Sequence, residues 1–309
     1  MPKMVSRMNP ILSPAVETAL RENRPLVALE STLITHGFPH PQNLEVARAL
    51  ESVVREAGAV PATIAVLKGQ PTVGLRDDQL AYLANSVRAR KCSVRDLPLV
   101  TARGEDGSTT VAATMVIAHR AGIRIFATGG IGGVHRGHNL DVSADLMELG
   151  RTPITVVCAG MKAFLDLPAS LEYLETQAVP VLGYQSDEFP AFYSRTSGLP
   201  VDVRVDSAEE AARIIRSRDA LGLPNAIVLA APIPPADEWP AGEAEGVIRR
   251  ALAEAEARHI SGKDITPFLL ARIAELSDGR SMRANIALLK HNARVAAQVA
   301  VALARLSAT

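Results

Sequence analysis

Residues 109–133 read TTVAATMVIAHRAGIRIFATGGIGG, and the order of patterns within them decides the fold. The first part, 109–121, is rich in small and apolar residues and reads as a helix. The second, IRIFA (123–127), is a short apolar run with two β-branched isoleucines, which suits a strand buried on both faces. It runs straight into TGGIGG (128–133). A helix leading into a short buried strand is the unit of an α/β layered protein, and the same alternation recurs along the chain. Strands are expected at 25–30 (PLVALE), 62–67 (ATIAVL), 154–159 (ITVVCA) and 226–230 (AIVLA), with further candidates at 180–184 and 201–205. Helices are expected at 43–58, 77–90 and 207–221, the last with an acidic first turn, and a helical turn or two at 143–149. This predicts a largely parallel core.

The last third changes character. Residues 238–260, 266–276 and 281–306 are Ala-rich helical patterns, expected to cover one face or edge of the sheet. Two proline-punctuated loops, 184–200 and 232–240, are expected to form rims of a site. There is no linker and no internal repeat, so one domain is expected over 1–309.

Composition narrows the function classes. Lys+Arg total 33 and Asp+Glu total 33, and the zero net charge gives no electrostatic reason for a nucleic-acid or anionic-membrane partner. A chain 48% hydrophobic and 21% charged is of globular and not of disordered composition. Two cysteines, Cys92 and Cys158, are too few for a disulfide scaffold and sit beside apolar runs, so buried thiols are expected. The start, MPKMVSRMNPIL, lacks the long apolar stretch of a secretory signal. No charge-free apolar run reaches the roughly 18 residues of a membrane span. The expectation is a soluble, cytoplasmic protein.

An α/β sheet places its chemistry beyond the carboxyl ends of its strands, and several polar residues fall there. Glu30 directly follows VAL, where a carboxylate is costly to bury unless it is paired, capping or functional. Lys162 follows ITVVCAGM; its position suits a functional amine or a solvated lysine at a helix start. The glycines at 129–133 are not a dinucleotide fingerprint, because no spaced GxGxxG leads into a helix, and no GxxxxGK[ST] is present. They are expected to let the backbone approach a ligand or to hold positive φ. His135, Arg136 and His138 follow, and with Asp141 they are candidate metal ligands. No HExxH spacing supports zinc, whereas one carboxylate with waters suits a hard ion such as Mn²⁺ or Mg²⁺. Ser108, Thr109 and Thr110 open the helix expected at 109–121, as N-caps or as a phosphate seat made of amide groups and hydroxyls. Lys91 adds a point charge to the same anion.

With those residues in hand, the chain resembles the pseudouridine-5'-phosphate glycosidase family, which includes indigoidine synthase A-like proteins. The matching segments include ALESTLITHGFPHPQN (28–43), KCSVRDL (91–97), GSTTVAATM (107–115), FATGGIGGVHRG (126–137), DVSADLMEL (141–149), VVCAGMKAFLD (156–166) and NIALLKHNARVAAQVA (285–300). Long motifs in fixed order through nearly the whole chain make the resemblance specific. One departure is Lys68 in VLKGQ, where a small or acidic residue is expected; it precedes a turn and can face solvent.

The resemblance implies a three-layer α/β/α fold, a homotrimer and a manganese ion. It implies reversible cleavage of the C–C glycosidic bond of pseudouridine 5'-phosphate to uracil and ribose 5-phosphate. Carried over by motif, Glu30 is the general acid/base, Lys162 the covalent nucleophile and Asp141 the metal-associated carboxylate, with Asp145 its rival. Substrate contacts fall at Lys91, Val111, Ser143, Ala144 and Asp145, with His135 and Asn285 as further candidates for the ribose-phosphate pocket. The residue types suit the chemistry. Uracil bound through carbon is a poor leaving group, so a lysine that captures C1' of opened ribose as an imine is a better route than two carboxylates. Lys162 at the start of a helix KAFLD would have its neutral form favoured by the helix dipole. Two other functions fit the same residues. One is a related C- or N-glycosidase for another nucleobase or a secondary-metabolite phosphate. The other is a sugar-phosphate-binding protein without catalysis.

Overall fold

The computed structural model describes residues 8–260 and 262–308. Its main sheet has 11 strands. The core runs parallel in the order Val60–Leu67, Leu26–Leu29, Ile125–Ala127, Thr155–Cys158, Ile227–Ala230, Val181–Tyr184, Val203–Val205. The central members Leu26–Leu29, Thr155–Cys158 and Ile227–Ala230 are buried along their whole length, as expected of parallel strands covered on both faces. At one edge the sheet becomes mixed, because Gln70–Val73 and Gly107–Thr109 both pair antiparallel to Val60–Leu67. The hairpin between Val60–Leu67 and Gln70–Val73 closes through Lys68 (φ 50°) and Gly69 (φ 77°), the two left-handed residues of a tight hairpin turn. Lys68 is exposed there, as the sequence suggested.

Helices make the two outer layers of an α/β/α sandwich. The long helix Arg280–Ala308 packs across Leu26–Leu29, Ile125–Ala127 and Thr155–Cys158, between helices Gln42–Glu56 and Ala208–Ala220. Helix Val111–Arg120 covers Leu26–Leu29 and Val60–Leu67 and meets Ala144–Leu149, which meets Leu167–Thr176. The C-terminal third is helical throughout, in Ala241–Ala257, Ile265–Leu276 and Arg280–Ala308. Cys92 and Cys158 are buried free thiols, each pushed up to about 12 by burial. Among the described residues no helix is long and apolar enough to cross a membrane.

Three boundaries differ from the sequence expectation, and each bears on the site. The helix expected over 77–90 ends at Ala84, and Arg90–Cys92 is a strand parallel to Gly107–Thr109. Lys91 is therefore held in a sheet. The helix expected from 109 begins at Val111, because Thr109 belongs to that strand and Thr110 is the extended N-cap (φ −73°, ψ 177°). Lys162 starts no helix. Residues 162–165 form a turn, with the Leu165 amide donating to the Lys162 carbonyl at 3.0 Å. The next helix is Leu167–Thr176, where Asp166 caps the Ala169 amide and proline occupies the first turn. The helix-dipole argument for a neutral Lys162 falls with that boundary.

Candidate active site

Glu30, Thr128 and the segment leading to Lys162 leave the carboxyl ends of three adjacent parallel strands, and a cavity of about 390 Å³ opens there. Its walls include Glu30, Lys91, Thr110, Val111, His135, Asp141, Ser143, Ala144, Asp145, Lys162 and Asn285. Of the residues singled out in the sequence, Ser108, Thr109 and Arg136 lie outside the lining.

Glu30 accepts a hydrogen bond from Thr128 Oγ1 at 2.5 Å. Burial pushes its carboxyl group above the usual range, against the opposing pull of the Lys162 cation and the Thr128 hydroxyl. Lys162 is fixed at both ends: its amide donates to the Ile131 carbonyl at 3.3 Å, and Nζ donates to the Gly130 carbonyl at 2.8 Å. The long C-terminal helix locks the same glycine-rich segment. Asn292, fully buried, donates through Nδ2 to the carbonyls of Thr128 (2.8 Å) and Gly129 (3.2 Å).

Asp145 is buried, and its carboxylate is used by the backbone. Oδ1 accepts from the Ala112 amide at 3.0 Å and Oδ2 from the Gly132 amide at 2.9 Å, tying the first turn of helix Val111–Arg120 to the glycine segment. The glycines themselves serve this packing. A Cβ on Gly132 would fall 2.6 Å from Ser143 Cβ and 2.8 Å from Asp145 Oδ2, and one on Gly130 would fall 2.7 Å from the Phe192 ring. The segment's close neighbours are thus the protein's own atoms, and none of these four glycines needs positive φ, unlike the sequence expectation.

The anion seat is also corrected. The Thr109 amide donates to Ser31 Oγ (2.9 Å), its hydroxyl donates to the Ile64 carbonyl (2.7 Å), and the Thr110 amide donates to the Cys92 carbonyl (2.9 Å). Neither amide is open to a phosphate. Beside them, Thr110 Oγ1 and Ser93 Oγ are buried without a hydrogen-bond partner, and both residues line the cavity with Lys91. Burial holds Lys91 below the usual lysine range, reinforced by the Lys162 cation and opposed by Asp145, Glu30 and Asp264.

In the same cavity, His135 Nδ1 lies 3.1 Å from the Asp141 carbonyl and 3.4 Å from its Oδ2. Nδ1 donates toward the Asp141 carbonyl, and Nε2 is buried without a partner. The Asp141 carboxylate is half-exposed on the cavity wall. Among the described residues no three His, Cys, Asp or Glu side chains converge, so a zinc-type cage is not assembled. One open carboxylate fits a hard cation that keeps most of its waters. The side chain of His138 lies outside the described residues.

Of the two expected rim loops, 184–200 contributes Phe192 to the lining and 232–240 contributes nothing. The second loop buttresses the first: Trp239 packs on Tyr193 at 5.6 Å between ring centroids, and Ser194 Oγ donates to the Trp239 carbonyl. The cavity is further lined by Thr32, Leu33, His36, Gly37 and Phe38, by Ser93, Arg95 and Asp96, and by Gly262, Thr266, Pro267 and Leu270. Sequence reasoning passed over Ser93, Thr128, Phe192 and Asn292. Of these only Asn292 carried a local signal, as an amide inside an apolar helical stripe.

A half-buried carboxyl group in the field of a lysine at the carboxyl ends of parallel strands defines the chain as an α/β enzyme. The family described as indigoidine synthase A-like protein matches residues 15–302, and the chain belongs to it. It is 57% identical over 293 residues to the pseudouridine-5'-phosphate glycosidase of Methylobacterium nodulans, covering 94% of this chain and 87% of that protein. It is 54% identical to the protein of the same name from Caldanaerobacter subterraneus, covering 96% and 97%. Among solved structures, the prealnumycin C-glycosynthase AlnA in complex with ribulose 5-phosphate superposes with a TM-score of 0.90 at 40% identity, covering 98% of this chain and 99% of that one. An indigoidine synthase A-like protein of Thermotoga maritima superposes with a TM-score of 0.88 at 34% identity, covering 97% and 99%.

Proposed function

We propose that the protein reversibly cleaves the C–C glycosidic bond of pseudouridine 5'-phosphate, giving uracil and ribose 5-phosphate. The observation that carries this reading is the meeting of Glu30 and Lys162 in one cavity, in a chain more than half identical to proteins of that activity over nearly its full length. As the ribose ring opens, Nζ of Lys162, once its ammonium has passed a proton to water, bonds C1' and Glu30 delivers a proton to O4'. The Glu30 carboxylate then takes a proton from the new secondary ammonium, the freed nitrogen lone pair forms the protonated imine while the C1'–C5 bond breaks, and the electron pair goes to C5 of the base, which takes up the proton that Glu30 holds. Water adds to the imine and releases ribose 5-phosphate and the amine. Burial suits Glu30 to carry a proton near neutral pH.

The 5'-phosphate is assigned to the wall where Lys91, Ser93 and Thr110 meet, since two buried hydroxyls without partners gain them from an anion. Asp141 would hold Mn²⁺ or Mg²⁺ with waters, and such an ion when bound supplies a positive charge that orients water and polarises a pyrimidine carbonyl. Ser143, Ala144 and Asn285 are placed to contact the substrate from the remaining wall. The protein is expected to act as a cytoplasmic homotrimer.

A second reading, joining a pentose phosphate to an aglycone other than uracil, is favoured by the match to a C-glycosynthase. The same lysine chemistry serves it, and the higher identity to the pseudouridine-5'-phosphate glycosidases ranks it second.

Borohydride reduction of the protein with ribose 5-phosphate tests the reading. One stable adduct on the Lys162 peptide is expected, with Lys162→Arg nearly inactive because it keeps charge and supplies no nucleophile. An adduct on another lysine would contradict the assignment.

A further inference from the structure

We propose that Arg136 is a positioning residue that sets the aim of Lys162, a role resting on the imine reading of that lysine. Lys162 stands at the head of the turn 162–165, and the residues that follow it, Ala163, Phe164 and Leu165, are buried. A buried turn needs partners for its carbonyls, and here one guanidinium supplies two. Arg136 NH2 donates to the Ala163 carbonyl at 3.0 Å, and Nε donates to the Leu165 carbonyl at 3.2 Å. The third edge of the same planar group, NH1, donates to Glu245 Oε1 at 2.9 Å, on helix Ala241–Ala257.

Arg136 is well placed to transmit rigidity. It follows the strand Val134–His135, which pairs antiparallel with Leu165–Asp166, so backbone and side chain grip the turn from the same side. Nζ of Lys162 meanwhile reaches the Gly130 carbonyl, on the segment that leads into this strand. Lys162 is therefore held against residues 130–131 by its amide and by its side-chain amine, and Arg136 closes the frame. A lysine at 136 would put a single point charge where three fixed donors are needed. Glu245 neutralises the guanidinium and holds its plane, which brings a helix of the C-terminal third into the support of the reacting lysine.

The test compares wild type, Arg136→Lys, Arg136→Ala and Glu245→Gln in three measurements: steady-state turnover of pseudouridine 5'-phosphate, the rate of borohydride-trapped adduct at Lys162, and the melting temperature. A misaimed nucleophile loses on the order of 10- to 100-fold in rate. Arg136→Lys is expected to lose about that factor in kcat and in trapping rate, with KM changed less than about threefold. Glu245→Gln, which keeps a hydrogen bond to NH1, is expected to lose less. Arg136→Lys with wild-type kcat and trapping rate would overturn the proposal. So would a loss explained wholly by unfolded protein, with folded molecules trapping at the normal rate. A wild-type enzyme that forms its adduct away from Lys162 would instead overturn the nucleophile reading, and this proposal with it.

Discussion

Burial makes ionisation of Glu30 costly, and the Lys162 cation and Thr128 hydroxyl only partly offset that cost. Because its folded pKa is raised, the folded state keeps a proton that the unfolded chain releases near 4.5. The stability this contributes is complete below that value and is lost as pH rises through the raised folded pKa. Glu30→Gln removes the titration, so its melting temperature relative to wild type should climb as pH rises through that window, while turnover is abolished. Parallel melting curves across the acid-to-neutral range would contradict the buried, proton-holding Glu30. The two aspartates divide just as sharply. Asp145 spends both oxygens on the Ala112 and Gly132 amides, and an asparagine would turn an amine toward one of them. Asp145→Asn should therefore lose about 1–3 kcal/mol of stability, measured by denaturant unfolding. Asp141→Asn should stay as stable as wild type and lose its response to added Mn²⁺ in activity and in metal-binding calorimetry. Glu30 stood out in the sequence as a carboxylate in a costly position, and Asp141 as a candidate ligand for a hard ion. The duty of Asp145 did not, because its partners are backbone amides 13 and 33 residues away.

Elements were legible where an apolar run was long enough to be unambiguous. The strands containing PLVALE, ATIAVL, ITVVCA and AIVLA all belong to the parallel core, since such runs can be satisfied only between two covering layers. Failures lie at element ends. KAFLD after Lys162 looked helical, but the Asp166 cap and Pro168 postpone the helix to Leu167, and that cap-and-proline signal was present in the chain. Arg90 and Thr109 were drawn into helices because the short strands Arg90–Cys92 and Gly107–Thr109 exist only by pairing with each other and with Val60–Leu67. That pairing, invisible locally, takes up the Thr110 amide while Ser31 Oγ takes up the Thr109 amide, which shifts the anion seat to hydroxyls. Ser93→Ala combined with Thr110→Val should lower kcat/KM for the nucleotide by about 100-fold or more, as expected for two hydrogen bonds to a charged group. Unphosphorylated pseudouridine should be a poor substrate for both proteins and should show almost no difference between them. Equal losses on nucleotide and nucleoside would move the phosphate elsewhere.

At the scale of the whole molecule, the C-terminal helices are part of the site. Arg280–Ala308 supplies Asn285 and Leu289 to the cavity and clamps the glycine segment through Asn292, while Ala241–Ala257 supports the Lys162 turn through Glu245. The sequence predicted that these helices cover the sheet and left unspoken that they finish the active site, because their contacts span about half the chain. What they enclose is a cavity of about 390 Å³, a volume suited to a nucleotide-sized molecule. The central claim is that C–C glycosidic cleavage happens in this cavity through Lys162. The most direct measurement incubates the purified protein with pseudouridine 5'-phosphate and Mn²⁺ and follows free uracil and ribose 5-phosphate by chromatography. The account predicts equimolar release of the two by wild type and none by Lys162→Ala. Intact substrate after prolonged incubation with folded wild type, or uracil released by Lys162→Ala at the wild-type rate, would contradict it.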